Sequence, residues 1–181
     1  MSHSFIRTAT AEDSLAIAHV HVESWRDAYR DIVAATHLAG ITVEERAATW
    51  LERLRADPEQ RPQIFVAEDR GEVVGFVSGG KTHQSDLPFD AELYALYVKP
   101  SHQRRRLGRQ LTWALVNELM EREFRGLVVG VLQANESGRR FYESLGGEPV
   151  GGRSRVIGGD SHFEVFYGWP AIRDVSGLPT G

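Results

Sequence analysis

The sequence predicts an α/β protein with a mixed, mainly antiparallel central sheet flanked by helices. Three observations predict it. Apolar residues recur at helical spacing over 10–35 and again between Thr42 and Asp57. Short β-prone runs joined by tight turns follow, and a later strand–helix–strand passage has the length of a parallel crossover. The order read along the chain is helix, helix, three strands, helix, strand, helix and two strands. A length of 181 residues fits one domain, expected over 1–170, with 171–181 as a flexible C-terminal tail.

In residues 10–35, Leu15, Ala18, Val22, Trp25, Tyr29 and Ile32 alternate steps of three and four, which puts them on one helix face. Thr10 with Asp13, and Thr42 with Glu45, resemble capping boxes. The second helix presents Ala47, Trp50, Leu51 and Leu54 and ends by Asp57-Pro58, because proline cannot continue it. Gln63 to Glu68 and Val73 to Ser78 read as a hairpin around Asp69-Arg70-Gly71. Residues 81–90 form a polar loop, and Ala91 to Val98 is a third strand stopped by Lys99-Pro100. A helix follows over Leu107 to Glu123, with Leu107, Leu111, Ala114, Leu115 and Leu119 toward the core. Gly126 to Gln133 reads as an interior strand and Ser137 to Leu145 as a short helix closed by Gly146-Gly147. Val150 to Val156 and Ser161 to Trp169 form a last hairpin around Gly158-Gly159.

Composition narrows the function classes. Lys and Arg number 21 against 25 Asp and Glu, a formal net charge of −4. Nucleic-acid-binding domains are usually basic overall, so nucleic acid is not expected as the main partner. Two basic residues are Lys, Lys81 and Lys99, and the others are all Arg. Cysteine is absent, which removes disulfides, thiolate nucleophiles and Cys-ligated zinc. The His residues form no H-E-x-x-H, so no metal is expected, and there is no G-x-S-x-G elbow. No secretory signal is read in Met1 to Thr10, and no apolar run has the length of a membrane span. The expectation is a cytoplasmic protein without membrane association.

The segment from Val98 to Arg109 carries the chemistry. It joins a strand to a helix, and the first turn of a helix offers free N–H groups and the positive end of the dipole. Arg104, Arg105, Arg106 and Arg109 add charge-assisted donors. The pattern points to a phosphate or diphosphate seated on the turn. A basic surface loop or a nucleic-acid patch is the plainer alternative. Neither G-x-x-x-x-G-K-[ST] nor G-x-G-x-x-G competes elsewhere in the chain.

This turn resembles the acyl-CoA pyrophosphate loop of the GNAT superfamily of N-acetyltransferases, pattern Q/R-x-x-G-x-G/A. Gln103 matches the first position and Gly108 the last, and Arg106 replaces the middle glycine. An ordinary helical backbone at Arg106 is the condition under which the cradle survives that replacement. The strand Glu92 to Val98 precedes the loop, the next strand leads to Asn135, and residues 138–147 resemble the family's F-Y-x-x-x-G-F segment. There Gly147 stands where an aromatic is usual. The resemblance covers residues 5–170 and is most specific over 91–147.

The resemblance implies an N-acetyltransferase using acetyl-CoA as co-substrate and no metal. A substrate amine attacks the thioester directly in a ternary complex. It implies cofactor contacts at Leu96, Tyr97 and Val98, whose main chain meets the pantetheine arm between splayed strands, and at Gln103, Arg104, Arg105, Arg106, Leu107, Gly108 and Arg109. A fully paired central strand is the alternative for the first three. Asn135 reads as a helix cap that by resemblance also reaches the cofactor. Tyr142 is a cofactor contact and the candidate acid for the departing thiolate, or simply core. Glu92 is the candidate base, or a solvent-facing or substrate-attracting carboxylate. Tyr94 shares its strand face and lines the acceptor site with Trp25 and Tyr29, for which sheet packing is the alternative. Glu23, Asp27 and Asp31 add negative charge suited to an amine. The acceptor, a small amine or a peptide or protein amine, is not specified, and homodimers are common in the family. A non-catalytic acyl-CoA-binding or sensing module is the rival reading.

Overall fold

In the computed structural model, which describes residues 4–176, the chain opens with strand β1 (Ser4–Thr8). Helices α1 (Ser14–Ala28), α2 (Ala35–Gly40) and α3 (Val43–Arg55) follow. Next come β2 (Gln63–Asp69), β3 (Glu72–Lys81), β4 (Ala91–Val98), α4 (Leu107–Glu121), β5 (Leu127–Leu132), α5 (Glu136–Glu143), β6 (Glu148–Ile157) and β7 (Asp160–Trp169). The seven strands form one sheet in the order β1-β2-β3-β4-β5-β7-β6. Every pairing is antiparallel except β4 with β5, the crossover that carries α4. The expected fold class therefore holds.

Two layers cover the sheet. Leu107, Leu111, Leu115 and Leu119 of α4 are buried on one face against Val77, Leu93, Leu127 and Val129. Ala114 is only half-buried, and Thr112 and Val116 take its place in the core. On the other face Ile17, Ala18 and Val20 of α1 and Trp50 and Leu54 of α3 pack on Val66 and Phe76.

The expected element order lacks β1, an edge strand paired only with β2, too short and half-exposed to show alternation. Three expectations are corrected. The helix expected over 10–35 ends at Ala28 with Tyr29 as its C-cap, a turn follows, and the unanticipated α2 begins only at Ala35. Leu15 is exposed, at 56%, while Ile17 and Val20 are buried. Because α1 lies between the sheet and α3, it buries a wider arc than a single face. Finally, residues 171–176 are not loose: Ile172 and Val175 are buried in the α4-side core, and Ser176 N–H donates to Leu145 O at 2.8 Å. The rest of the expected tail, 177–181, lies outside the described residues.

The turns follow their residues. Arg70 and Gly71 (φ +54° and +82°) close β2–β3, and Gly158 and Gly159 (φ +63° and +92°) close β6–β7, the mirror-image geometry that suits right-twisted hairpins. Gly147 sits against Trp169, whose ring would lie 2.6 Å from any Cβ there.

Candidate active site

The site is built where β4 and β5 separate. They pair only through Ala91–Leu93 against Leu127–Val129. Beyond that, β4 is paired with β3 alone and β5 with β7 alone. The edge of residues 94–98 that faces β5 is open, so its N–H and C=O groups are available to an extended ligand. The alternative of a fully paired strand does not hold.

A β-bulge accompanies the separation. Ser78 pairs with Ala95 and Gly79 with Leu93, which leaves Tyr94 as the extra residue. Bulges bend a strand and increase its twist. This one also inverts the alternation: Ala91 and Leu93 pack on the α4 side, but past the bulge Ala95 and Tyr97 pack on the α1–α3 side. Gly79 makes the close approach possible, since a Cβ there would lie 2.8 Å from the Glu92 carbonyl oxygen and 2.7 Å from Leu115.

The opened strands border a cleft of about 570 Å³. Leu96, Tyr97, Val98, Gln103, Arg104, Arg106, Leu107, Gly108, Arg109, Asn135 and Tyr142 all line it, as do Tyr29 and Tyr94. At the turn into α4, Arg104 and Arg106 both have left-handed backbone, φ +61° and +66°. The helical backbone on which the cradle's survival was conditioned is therefore absent at Arg106. Arginine adopts the conformation a glycine would take there, as the residue preceding α4, and its side chain does not cap the helix. The N–H groups of the first turn stay available, and the turn has the concave form that seats anions. Asp69 at the end of β2 holds this turn from outside, with His102 Nε2 at 3.4 Å and the Arg105 guanidinium at 3.8 Å. Arg105 is thereby drawn out of the cleft it was expected to line. Gln103 Nε2 donates to Val98 O at 3.3 Å, which joins the turn to the open strand.

Asn135 ends the β5 segment as the cap of α5; its Oδ1 accepts from Gly138 N–H at 3.0 Å. Burial raises the Tyr29 phenol above its ordinary value, against the opposing influence of the neighbouring Tyr97 and Asn135 side chains. Trp25 does not line the cleft; its ring packs tilted against Tyr29 and its Nε1 donates to the Tyr97 hydroxyl at 2.7 Å, so it supports the wall from behind. Tyr142 is 7% exposed. Burial, followed by the neighbouring Tyr29, pushes its phenol well above the ordinary value, which keeps the proton on oxygen. Such a group is a proton donor rather than a base.

Glu92 is not in this cleft. It lines a second one of about 620 Å³. The carboxylate is buried, with Oε2 accepting from the His83 backbone N–H at 2.8 Å and lying 3.2 Å from His83 Nδ1, and Oε1 accepting from Gln84 Nε2 at 2.9 Å. Tyr94 lines both clefts. Its hydroxyl donates to Lys81 O, and burial, then the Glu92 charge, raise its phenol to about 12. Sequence reasoning missed His83 and Gln84, which lie in a polar loop with no periodicity. It also missed Ser24, Leu93, Gly138 and Phe141 in the first cleft, which face it only because of the splay.

An open β4–β5 splay ending on an uncapped strand-to-helix turn is the arrangement that the resemblance to acyl-CoA-dependent N-acetyltransferases implies. Residues 22–147 match the Acetyltransferase (GNAT) family model. The chain is 34% identical over 97% of its length, and 96% of the relative's, to an N-acetyltransferase of Bacillus subtilis called YuaI, itself uncharacterized. It is 29% identical over 64% of its length to 74% of an L-methionine sulfoximine/L-methionine sulfone acetyltransferase of Salmonella typhimurium. Its fold matches yncA of Salmonella typhimurium, a putative acetyltransferase solved with acetyl-CoA, at a TM-score of 0.70 and 21% identity over 99% of this chain and 98% of that one. The protein belongs to the GNAT family of N-acetyltransferases.

Proposed function

We propose that the protein transfers an acetyl group from acetyl-CoA to a primary amine by direct attack within a ternary complex. The observation that carries this reading is the cleft that runs from the open edge of β4 to the uncapped start of α4, with Tyr142 in its wall. The main chain of 94–98 suits the amides of a pantetheine arm. Arg104, Arg106 and the first N–H groups of α4 suit a diphosphate. The bound thioester supplies the acetyl group.

The amine nitrogen bonds to the thioester carbonyl carbon, and the carbon–sulfur bond breaks. Main-chain N–H groups of the open strand polarise the carbonyl. Tyr142 gives its proton to the departing sulfur, so free CoA leaves as the thiol, and the proton shed by the amine passes through water and restores the Tyr142 hydroxyl. Without cysteine in the chain, no thioester acyl-enzyme is available. A reaction drawing on acetyl-CoA fits the cytoplasm.

The test is isothermal calorimetry with CoA together with thiol release from acetyl-CoA across a panel of amines. Expected are CoA binding and amine-dependent thiol release, with Tyr142→Phe lowering turnover by about tenfold or more while CoA affinity changes far less. Unchanged turnover in that variant removes the acid role, and no CoA binding by the wild type overturns the reading.

A further inference from the structure

We propose that the second cleft is the acceptor subsite and that it takes small amines bearing a carboxylate, such as free α-amino acids. This rests on the acetyl-transfer reading above and adds the substrate class.

The charge of this cleft departs from that of the chain. The protein carries a formal net charge of −4, yet Arg53, Arg61, Lys81, Arg122 and Arg153 line the cleft against only two carboxylates, Glu59 and Glu92. Arg122 and Arg153 are matched by Glu118 and Glu164. Arg53, Arg61 and Lys81 are in no ion pair among the described residues. Arg53 is held in place without being neutralised: its guanidinium carbon lies 4.9 Å from the centre of the Trp50 ring. Arg53 lines the second cleft together with Tyr94, the residue common to both clefts. A planar, uncompensated guanidinium is the donor of choice for a carboxylate.

Glu92 provides the opposite pole. A carboxylate offers about four acceptor sites, two on each oxygen. Oε2 is engaged by the backbone and ring of His83, and Oε1 by Gln84 alone. The remaining site on Oε1 suits one amine N–H. A buried, fixed anion beside free cations matches a molecule with an amine at one end and an acid at the other. A polyamine or a lysine side chain would meet three unpaired positive charges here. Tyr94, common to both linings, is where the acceptor subsite meets the first cleft.

The test compares initial rates of thiol release from acetyl-CoA for a full set of L-amino acids and for the corresponding amino-acid amides. The amide keeps the amine and side chain and removes the negative charge. Its amine is the less basic of the two, so an advantage for the acid does not come from amine availability. At least one free acid should exceed its amide by about tenfold or more in kcat/KM, the scale of one charge-assisted hydrogen bond. Arg53→Met and Lys81→Met should lower that acid-to-amide ratio, chiefly through KM. Thermal melts and CoA calorimetry on both variants report folding and cofactor binding separately. If the protein binds CoA but favours amides or cationic amines, or turns over neither set, or if the ratio survives both substitutions, the inference falls while the acetyl-CoA reading stands. Failure to bind CoA sinks that reading instead.

Discussion

Arg106 holds a backbone conformation that L-residues avoid, at a cost of about 1–2 kcal/mol. Arg104 does the same two positions earlier. Such outliers gather at ligand clamps, and here both lie on the turn suited to a diphosphate. Glycine at 106 relieves the local strain. Arg106→Gly is expected to raise stability by up to about 1 kcal/mol and to tighten CoA binding, read by urea unfolding and calorimetry. Weaker CoA binding in that variant would mean that the guanidinium contributes more than the strain removes. The identity of this residue as a departure from the family pattern is legible in the sequence; its left-handed backbone is not, because arginine by composition argues for φ below zero. Glu92 shows the same division. Its place on the strand is plain from the sequence, but its partners His83 and Gln84 come from a loop whose shape depends on the sheet edge beneath it.

At the scale of elements, the β4 bulge and the β4–β5 splay are one device. Gly79 lets β3 follow the bulge, with the Glu92 carbonyl and Leu115 pressed against the space a side chain would need. Gly79→Ala is expected to cost about 1–3 kcal/mol by overpacking and to weaken CoA binding as the bulge shifts. A variant that loses stability but keeps wild-type CoA affinity would separate the bulge from the cleft. The strands themselves are legible: β2 to β5 and β7 fall within a few residues of their expected limits, because β-branched runs and turn residues mark them locally. The splay is not legible. It is a missing set of hydrogen bonds between strands far apart in sequence, and alternation within β4 even reads wrongly once the bulge inverts it. The break between α1 and α2 escaped for a related reason: the apolar period continues across the turn because Val33, Leu38 and Ile41 pack in the same small cluster as Val22.

Across the whole molecule, the α1–α3 face of the sheet closes around His21. Its ring stacks on Tyr97 at 5.3 Å between centroids, and Trp50 Nε1 donates to its Nδ1 at 3.2 Å. Burial, with Arg46 and Arg53 nearby, lowers its pKa from 6.5 to about 4. The folded state therefore favours the neutral ring, while the unfolded chain binds a proton below about 6.5. Stability from this group is present above pH 6.5 and declines as pH falls toward 4, by up to about 3 kcal/mol. Urea unfolding at pH 8 and pH 5 should show the decline in the wild type and a smaller one in His21→Gln, which keeps an acceptor for Trp50. Equal declines in both would assign the acid sensitivity to another group.

By itself the sequence determined the order and type of the main elements, the strand-to-helix turn proposed to seat a diphosphate, the cap at Asn135 and the family. Each of these rests on residues close together along the chain, where spacing and turn chemistry speak directly. The tertiary structure alone decided that Glu92 and Tyr142 line different clefts, that Arg105 turns away to Asp69, and that uncompensated cations gather near Glu92. Those depend on a bulge, a splay and a charge balance summed over distant segments, and such quantities exist only once the sheet has formed.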